Sequence, residues 1–193
     1  MNFLSKSIFN IFIVFEHISI NFFTSNKLLK NHICVYLPPS YILKINYLLK
    51  NELFLSLSQL TDLSAIDLNF QNQEWVNSFF KKIPSQILIF YIYSLFIIKT
   101  KLTIFTFFLP ICKSAKLLSI ESLYLNSNWL EREVSEMFGV YFFNKKDTRT
   151  LLLEYSSQEN PMLKSFPCEG FSEIYYNFFI NSVETIKTEV VEL

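Results

Sequence analysis

Glycine, alanine and arginine are scarce in this chain of 193 residues, which contains two of each. These amino acids are encoded by GC-rich codons, whereas the abundant phenylalanine, isoleucine, asparagine, lysine and tyrosine are encoded by AT-rich codons. The bias indicates an extremely AT-rich genome. An organelle genome is one explanation, and it would remove the need for a cleaved import signal. In such a background each retained arginine or glycine is expected to have a reason.

Neither positive nor negative charge is in excess, because 17 lysines and arginines balance 17 aspartates and glutamates. A broad nucleic-acid-binding surface needs a basic excess, so nucleic acid is not expected among the partners. Uninterrupted apolar runs are also too short for a membrane-spanning helix, which needs about 20 apolar residues in sequence. No transmembrane span is therefore expected.

Cysteine and histidine are few and scattered. Cys34, Cys112 and Cys168 lie far apart without a CxxC spacing, whereas an iron–sulfur cluster needs about four thiolates. His17 and His32 have no carboxylate or cysteine at a spacing typical of metal ligands. We therefore expect no metal site in this chain, and we expect the cysteines to be buried, reduced thiols.

Apolar residues, by contrast, are abundant: 51% of the chain is hydrophobic, and 22 residues are phenylalanine. The length suggests one domain, and this amount of apolar surface exceeds what one small domain readily buries. Surplus apolar surface on a folded protein marks contacts with other molecules. We therefore expect part of the surface to be buried against other chains.

The hydrophobic pattern predicts an α+β fold, with a small mixed sheet, helices packed on it and an extended C-terminal tail. Strands rich in β-branched and aromatic residues are predicted, with a tight turn between the last two: residues 33–37, 53–58, 87–98 and 102–109. A helix is predicted after Pro38-Pro39, with Ser40 as its N-cap. Residues 60–67 are expected to form a turn in which Asp62 and Asp67 cap backbone N–H groups.

Three segments are predicted along the chain. Residues 1–32 are a helical extension, with an amphipathic helix over residues 1–29. Residues 33–170 are the α+β domain, and residues 171–193 are a tail that lies on a partner subunit. Within the domain, a short helix is predicted over residues 69–82.

Residues 128–153, NWLEREVSEMFGVYFFNKKDTRTLLL, predict one amphipathic helix and a glycine stop. Asn126 or Asn128 is the candidate N-cap, and with Asn128 as the cap Glu131 completes a capping-box pattern. Gly139 ends the helix, because glycine adopts a left-handed φ at little cost. The apolar stripe consists of Leu130, Val134, Met137 and Phe138.

The polar residues of this helix lie off the apolar stripe. Arg132 and Glu136 are four residues apart, so they can pair on the helix surface. Spacing alone is therefore typical of an ordinary surface helix. The order of residue types is more specific than the spacing.

That order resembles the signature of the 30-kDa component, also known as subunit 9, of NADH:quinone oxidoreductase, respiratory complex I. The signature begins with glutamate-arginine-glutamate, followed after two residues by an acid and two large apolar residues. Histidine or lysine follows after six further residues, and a basic residue after three more. After one further residue, two apolar residues end the signature. Every position is filled here, by Glu131, Arg132, Glu133, Glu136, Met137, Phe138, Lys145, Arg149, Leu151 and Leu152.

Two other segments resemble the same family. Residues 60–67 (LTDLSAID) are similar to its LTDLTAVD element, and residues 164–170 (KSFPCEG) to its KDFPLTGY element. The chain departs from the family's usual residues at several positions, and two loop glycines of the family are missing. Lys145-Lys146 occur where the family usually has His-Pro. Thr150 and Leu163 replace arginines, and Ser165 replaces an aspartate.

The resemblance implies a non-catalytic structural subunit of the peripheral arm of complex I. Such a subunit packs on the 49-kDa subunit near the quinone-reducing module and supports electron transfer from NADH to ubiquinone. The resemblance implies an obligate hetero-oligomer at the matrix side of the mitochondrial inner membrane, bound peripherally. It also implies that this chain holds no catalytic residue, cofactor or metal, while FMN and iron–sulfur clusters lie in partner subunits.

Seven signature residues are expected to form the partner interface: Trp129, Glu131, Arg132, Glu133, Glu136, Lys145 and Arg149. Arg132 is expected to be the strongest anchor, because a guanidinium binds a carboxylate bidentately. In this prediction the apolar stripe fixes the helix to its own sheet, and the charged face forms charge-assisted hydrogen bonds with a neighbour.

Two alternatives remain open at this point. The signature is shared with the equivalent subunit of membrane-bound hydrogenases and plastid dehydrogenases. A free-standing enzyme or small-molecule binder would instead require a pocket with convergent polar groups. The sequence shows neither a glycine-rich phosphate loop nor a nucleophile beside a base.

Overall fold

The computed structural model describes residues 22–23, 32–51, 58–68, 87–96, 99–108, 117–155 and 159–188. In chain order, the elements within these ranges are β1 (Phe22–Phe23), β2 (His32–Tyr36), a 3-10 turn (Pro39–Tyr41), α1 (Ile42–Asn51), β3 (Ser58–Asp67), β4 (Ile87–Leu95), β5 (Thr100–Phe108), β6 (Leu117–Leu118), α2 (Ser127–Phe138), β7 (Phe142–Phe143), β8 (Ser172–Asn177) and β9 (Ser182–Lys187).

A five-stranded sheet forms the centre of the domain, in the spatial order β1-β2-β5-β4-β3. β2 and β5 are parallel, and the other neighbouring pairs are antiparallel, so the sheet is mixed as predicted. β4 and β5 form the long hairpin expected from the sequence. Leu95 pairs with Thr100 across its turn, where Lys99 adopts a φ of 54°.

The apolar core lies between one face of this sheet and the two helices. β4 directs Ile89, Tyr91 and Tyr93 into it, all 0% exposed, because alternate residues of a strand point to the same face. Burial raises the pKa of both tyrosines well above the ordinary value. The helices contribute Ile42, Ile45 and Leu49 from α1, and Val134 and Phe138 from α2. The fold is therefore the α+β class predicted.

Hydrogen bonds join α1 to the sheet inside this core. The buried Asn46 side chain accepts a hydrogen bond from the Tyr93 hydroxyl at 2.5 Å and donates to the Ile42 carbonyl at 2.9 Å. The Ser58 and Tyr124 hydroxyls lie 2.8 Å apart. Because a buried polar group is costly unless it is bonded, these pairs fix α1 and the segment before α2 over the sheet.

The prediction of a turn at residues 60–67 is wrong, because these residues belong to β3. The strand pairs with the apolar β4 along its length, with an irregularity between Leu60 and Asp62. Its residues alternate mostly between buried and exposed positions, so pairing with β4 overrides the turn preference of the polar residues. Asp62 accepts a hydrogen bond from the Leu63 N–H at 2.8 Å. The predicted strand residues 53–57 lie outside the described part.

The structure tests only part of what was predicted for the N-terminal segment, because residues 22 and 23 are the only described residues before His32. Phe22 and Phe23 form β1 and pair with Val35 and Cys34 of β2, so the helix predicted over residues 1–29 is wrong at this point. The other residues before His32, and the helix predicted over residues 69–82, lie outside the described part. Ser40 lies within the 3-10 turn, so it is not the N-cap that was predicted.

The C-terminal segment is more ordered than an extended tail. β8 pairs with β9 in an antiparallel hairpin. Residues 189–193 lie outside the described part.

The two cysteines that the structure describes differ in environment. Cys168 is exposed, which corrects the expectation of a buried thiol, because it lies on a surface turn. Cys34 is half-buried, and burial raises the pKa of its thiol. Cys112 lies outside the described part.

Candidate functional site

Helix α2 begins without the side-chain cap predicted from the sequence. Asn126 precedes its first residue, but the Asn126 side-chain amide donates to the Leu60 carbonyl at 2.6 Å, at the irregularity in β3. The predicted glycine stop is confirmed. Gly139 has a φ of 68°, and its N–H donates to the Ser135 carbonyl at 2.9 Å. The start of α2 is therefore held to the sheet, and its end turns sharply toward β7.

Glu131 lies inside the chain, although the sequence places it on the polar side of the helix. Its side chain is 0% exposed. The carboxylate accepts hydrogen bonds from the Ser119 hydroxyl at 2.6 Å and the Ile120 N–H at 2.8 Å. It also forms a buried ion pair with Lys145 at 3.1 Å. The capping-box prediction is therefore wrong, because this carboxylate binds the segment before α2 and a loop after it.

Lys145 completes this buried cluster. Its ammonium donates both to Glu131 and to the Asn128 carbonyl, at 2.9 Å. Only 3% of its side chain is exposed. A buried charge is tolerated when it is paired and hydrogen-bonded, so the contacts of Glu131 and Lys145 depend on each other.

Arg132 and Glu136 hold the loop of residues 145–152, which we call the clamped loop. The Arg132 guanidinium donates to the Arg149 carbonyl at 2.7 Å, to the Thr150 carbonyl at 2.8 Å and to Asp147 at 3.5 Å. The Glu136 carboxylate accepts the N–H groups of residues 151 and 152. The Arg132–Glu136 pair predicted on the helix surface is wrong, because each side chain contacts the clamped loop instead.

Asp147 and Arg149 are joined within the clamped loop itself. The Arg149 guanidinium donates to the two Asp147 carboxylate oxygens at 3.0 and 2.8 Å, and the Arg149 N–H donates at 3.1 Å. These hydrogen bonds from Arg149, with a smaller attraction from Arg132, hold the pKa of Asp147 well below its ordinary value. The side chain of Arg149 is 73% exposed.

A cleft of about 160 Å³ lies between α2 and the clamped loop. It is lined by Arg132, Ser135, Glu136, Tyr141, Phe142, Lys145, Thr148 and Arg149. In the described part of the chain, no three His, Cys, Asp or Glu side chains form a group that could hold a metal ion. Among the same residues, no helix is long and apolar enough to cross a membrane.

Comparison with known proteins decides the family. The family model described as respiratory-chain NADH dehydrogenase, 30 Kd subunit, matches residues 35–172. The chain belongs to this family. The matched range includes the central sheet from Val35 onward, helix α2 and the whole clamped loop.

Individual relatives agree with the family match. The chain is 36% identical over 183 residues to NADH-ubiquinone oxidoreductase subunit 9 of Paramecium primaurelia, covering 95% of this chain and 85% of that one. It is 25% identical over 166 residues to the mitochondrial 30.4 kDa subunit of NADH-ubiquinone oxidoreductase of Neurospora crassa. This alignment covers 85% of this chain and 52% of that one. The family resemblance seen in the sequence is thus confirmed.

A solved structure supports the fold. A trypsin-resistant fragment of Nqo5 superposes with a TM-score of 0.50 at 15% identity, covering 75% of this chain and 98% of the fragment. At this identity the likeness concerns the fold alone. It agrees with the mixed sheet and packed helices described above.

The structure divides the seven predicted interface residues of this 30-kDa-family chain into two sets. Four of them are not exposed, and their polar contacts lie within the chain: Glu131, Arg132, Glu136 and Lys145. The other three are exposed. Trp129 is 66% exposed, and Glu133 and Arg149 are also exposed, although Arg149 is paired with Asp147 of the same chain. Arg132 is 9% exposed, and its guanidinium donates to carbonyls of its own chain; its role as an anchor to a partner stays a prediction.

Two contributors to this site were missed by sequence reasoning. Ser119 lies in the segment before α2, and nothing local in the sequence marks its contact with Glu131. Asp147 had a usable signal, because an aspartate readily accepts the backbone N–H two residues later. The backbone carbonyls that Arg132 contacts carry no sequence signal.

Replacing Arg132 with lysine is expected to loosen the clamped loop. Lysine keeps the charge but cannot reproduce the planar fork that contacts two carbonyls and Asp147. Loss of two hydrogen bonds at about 1 kcal/mol each should speed trypsin cleavage after Arg149 by about tenfold or more, measured by mass spectrometry of the folded chain. Glu133→Gln on the exposed side of α2 is the matched control. Equal cleavage rates in the two variants would contradict the clamp.

Acidification is expected to weaken the clamped loop through Asp147. Because the pKa of this carboxyl is lower in the folded chain than in the unfolded one, its contribution is present above the ordinary value of 3.8 and is lost as the pH falls further. The urea midpoint of the wild type should therefore fall more steeply between about pH 4 and pH 2 than that of Asp147→Asn. Parallel pH profiles would show that this carboxylate has no such role.

Proposed function

We propose that this chain is a non-catalytic structural subunit of the peripheral arm of NADH:ubiquinone oxidoreductase. It packs on the 49-kDa subunit near the quinone-reducing module and supports electron transfer from NADH to ubiquinone. Family membership over residues 35–172 carries the proposal. In this arrangement FMN and the iron–sulfur clusters belong to partner subunits, and this chain binds none of them.

The use of the signature charges supports a structural role. Glu131, Arg132 and Glu136 form hydrogen bonds with other parts of the same chain, so they shape a surface. The clamped loop and the exposed residues of α2 are presented by this framework in a fixed arrangement. A preformed surface lowers the entropy cost of association, which suits a subunit that assembles with large partners.

The docking surface is assigned to the exposed members of the signature and to the C-terminal segment. Trp129 is the central contact, because a large exposed aromatic residue is typical of interface hot spots. Glu133 and Arg149 supply flanking charges that select the partner. Residues 171–193 form a second contact on a partner subunit.

The proposed location is the matrix side of the mitochondrial inner membrane, where the chain is held peripherally by its partners. The mitochondrial relative of Neurospora crassa supports the organelle, as does the AT-rich composition. The membrane arm of the complex, rather than this chain, provides attachment in this proposal.

Purification of the native protein under mild detergent tests the proposal. Tagged chain should be recovered in a particle of high mass that contains flavin and iron–sulfur clusters and reduces ubiquinone with NADH. A photo-cross-linking residue in place of Trp129 should form an adduct with the 49-kDa subunit. Recovery of the chain only as a free monomer would overturn the proposal, and recovery with hydrogenase subunits would transfer it to that class of complex.

A further inference from the structure

The β8–β9 hairpin lies almost entirely beyond the residues that the family match covers, which end at 172. Its six cross-strand pairs run from Ser172–Lys187 to Asn177–Ser182. Thr188 ties its base to the domain through the carbonyls of Phe171 and Gly170. An isolated two-stranded hairpin is marginally stable in water, so this hairpin is expected to gain stability from a surface on which it rests.

The tip of the hairpin is strongly apolar and exposed. Phe178, Phe179 and Ile180 follow one another and are 81%, 100% and 63% exposed. The Phe179 N–H donates to the Asn177 side chain at 3.0 Å, and Asn181 closes the turn with a φ of 53°. The backbone of the tip is thus shaped by its own polar residues, while its apolar side chains are left to solvent.

The two faces of the hairpin differ. On one face, Glu184 accepts hydrogen bonds from Tyr175 at 2.5 Å and Asn177 at 3.1 Å, so the polar groups of these three side chains are paired. On the opposite face, Tyr176 lies across from Val183, and both are exposed. The apolar surface of the tip therefore continues along one face of the strands.

Charge around the hairpin is acidic. Residues 169–188 contain Glu169, Glu173 and Glu184 against the single Lys187. Hydrogen bonds from Tyr175 and Asn177 lower the pKa of Glu184, which favours its ionised form. An acidic rim is repelled by the anionic headgroups of a membrane and by a second copy of the same hairpin, whereas a basic protein surface attracts it.

We infer that the Phe178–Phe179–Ile180 tip inserts into an apolar pocket of another protein subunit, and that lysines or arginines rim this pocket. The inference rests on the proposed function, which supplies the protein complex. Exposed aromatic side chains that fill a partner's pocket typically dominate binding, and charges around them steer the encounter.

A photo-cross-linking residue in place of Phe179 in the otherwise unchanged chain tests the contact within the native complex. We expect an adduct with another subunit, at an apolar site flanked by basic residues. An adduct with lipid, with this same chain or with a second copy of it would overturn the inference, as would no adduct in an intact complex. Wild-type chain found only as a monomer would instead overturn the proposed function.

Substitution gives a second, independent measurement. The combined change of Phe178, Phe179 and Ile180 to serine should reduce the chain recovered in the complex by about tenfold, while the far-UV spectrum of the purified chain stays close to that of the wild type. Glu173→Gln should reduce recovery by about threefold, and its counterpart Lys187→Gln should not. Wild-type recovery for the triple variant would overturn the insertion, and equal effects of the two glutamine variants would overturn the basic rim.

Discussion

Replacing Glu131 with glutamine is expected to lower the free energy of unfolding by about 3–5 kcal/mol, the typical cost of breaking a buried ion pair from one side. Lys145 would lose its carboxylate partner while only 3% of its side chain is exposed. The Ser119 hydroxyl and the Ile120 N–H donate to different oxygens of the Glu131 carboxylate, so the single side-chain oxygen of glutamine can accept only one of these hydrogen bonds in place. The loss should come from the broken hydrogen bond and from the buried Lys145 side chain, which no longer has a carboxylate partner. The effect should appear as a lower midpoint in urea unfolding of the purified chain.

Two further variants make this result specific. Glu133→Gln removes an exposed carboxylate from the same helix and should change the stability by no more than about 0.5 kcal/mol. Adding Lys145→Met to Glu131→Gln should recover part of the loss, because no buried charge then lacks a partner. If Glu131→Gln were as mild as Glu133→Gln, the buried pair would not contribute as described.

Gly139→Val is expected to destabilise the chain by about 2–4 kcal/mol. A left-handed backbone costs a residue with a side chain about 1–2 kcal/mol, and a β-branched residue is less suited to it still. A Cβ at this position would also lie 3.0 Å from the Asn160 amide nitrogen. Thermal unfolding should therefore begin at a clearly lower temperature, because both α2 and the turn toward β7 are disturbed.

Gly170 provides a matched control for this prediction. Its φ of +74° is similar, but the nearest atoms to an added Cβ lie at 4.0 Å. Gly170→Val should therefore show the conformational cost without the crowding, and the difference between the two variants measures the contact with Asn160. Gly139→Asn should be the mildest change at that position, because asparagine tolerates this conformation. Equal losses for the two valine variants would remove the role given to Asn160.

Local sequence signals predicted several elements well. The β4–β5 hairpin follows from two apolar, β-branched runs around a short polar break, and the end of α2 follows from a glycine. The family was also identifiable from the Glu-Arg-Glu segment, since the order of residue types there is long and specific. Each of these features depends on neighbours within a few residues.

Other features of the fold were not predicted correctly, for different physical reasons. β3 contains enough polar residues to suggest a turn, and only pairing with β4 makes it a strand. The hairpin of β8 and β9 was expected to be extended, because the second strand gives little signal alone. For Cys168, apolar preference suggested burial, but its place on a surface turn leaves it exposed.

The charged helix separates the two kinds of information most clearly. Its residue order specifies a helix of defined length and assigns the chain to its family, because helix periodicity, the glycine stop and the motif are local properties. Whether Glu131 and Arg132 face a neighbour or their own chain depends on where Ser119, Lys145 and the loop carbonyls lie. Folding brings these groups together across many residues, and the cost of an unpaired buried charge then makes the internal contacts obligatory.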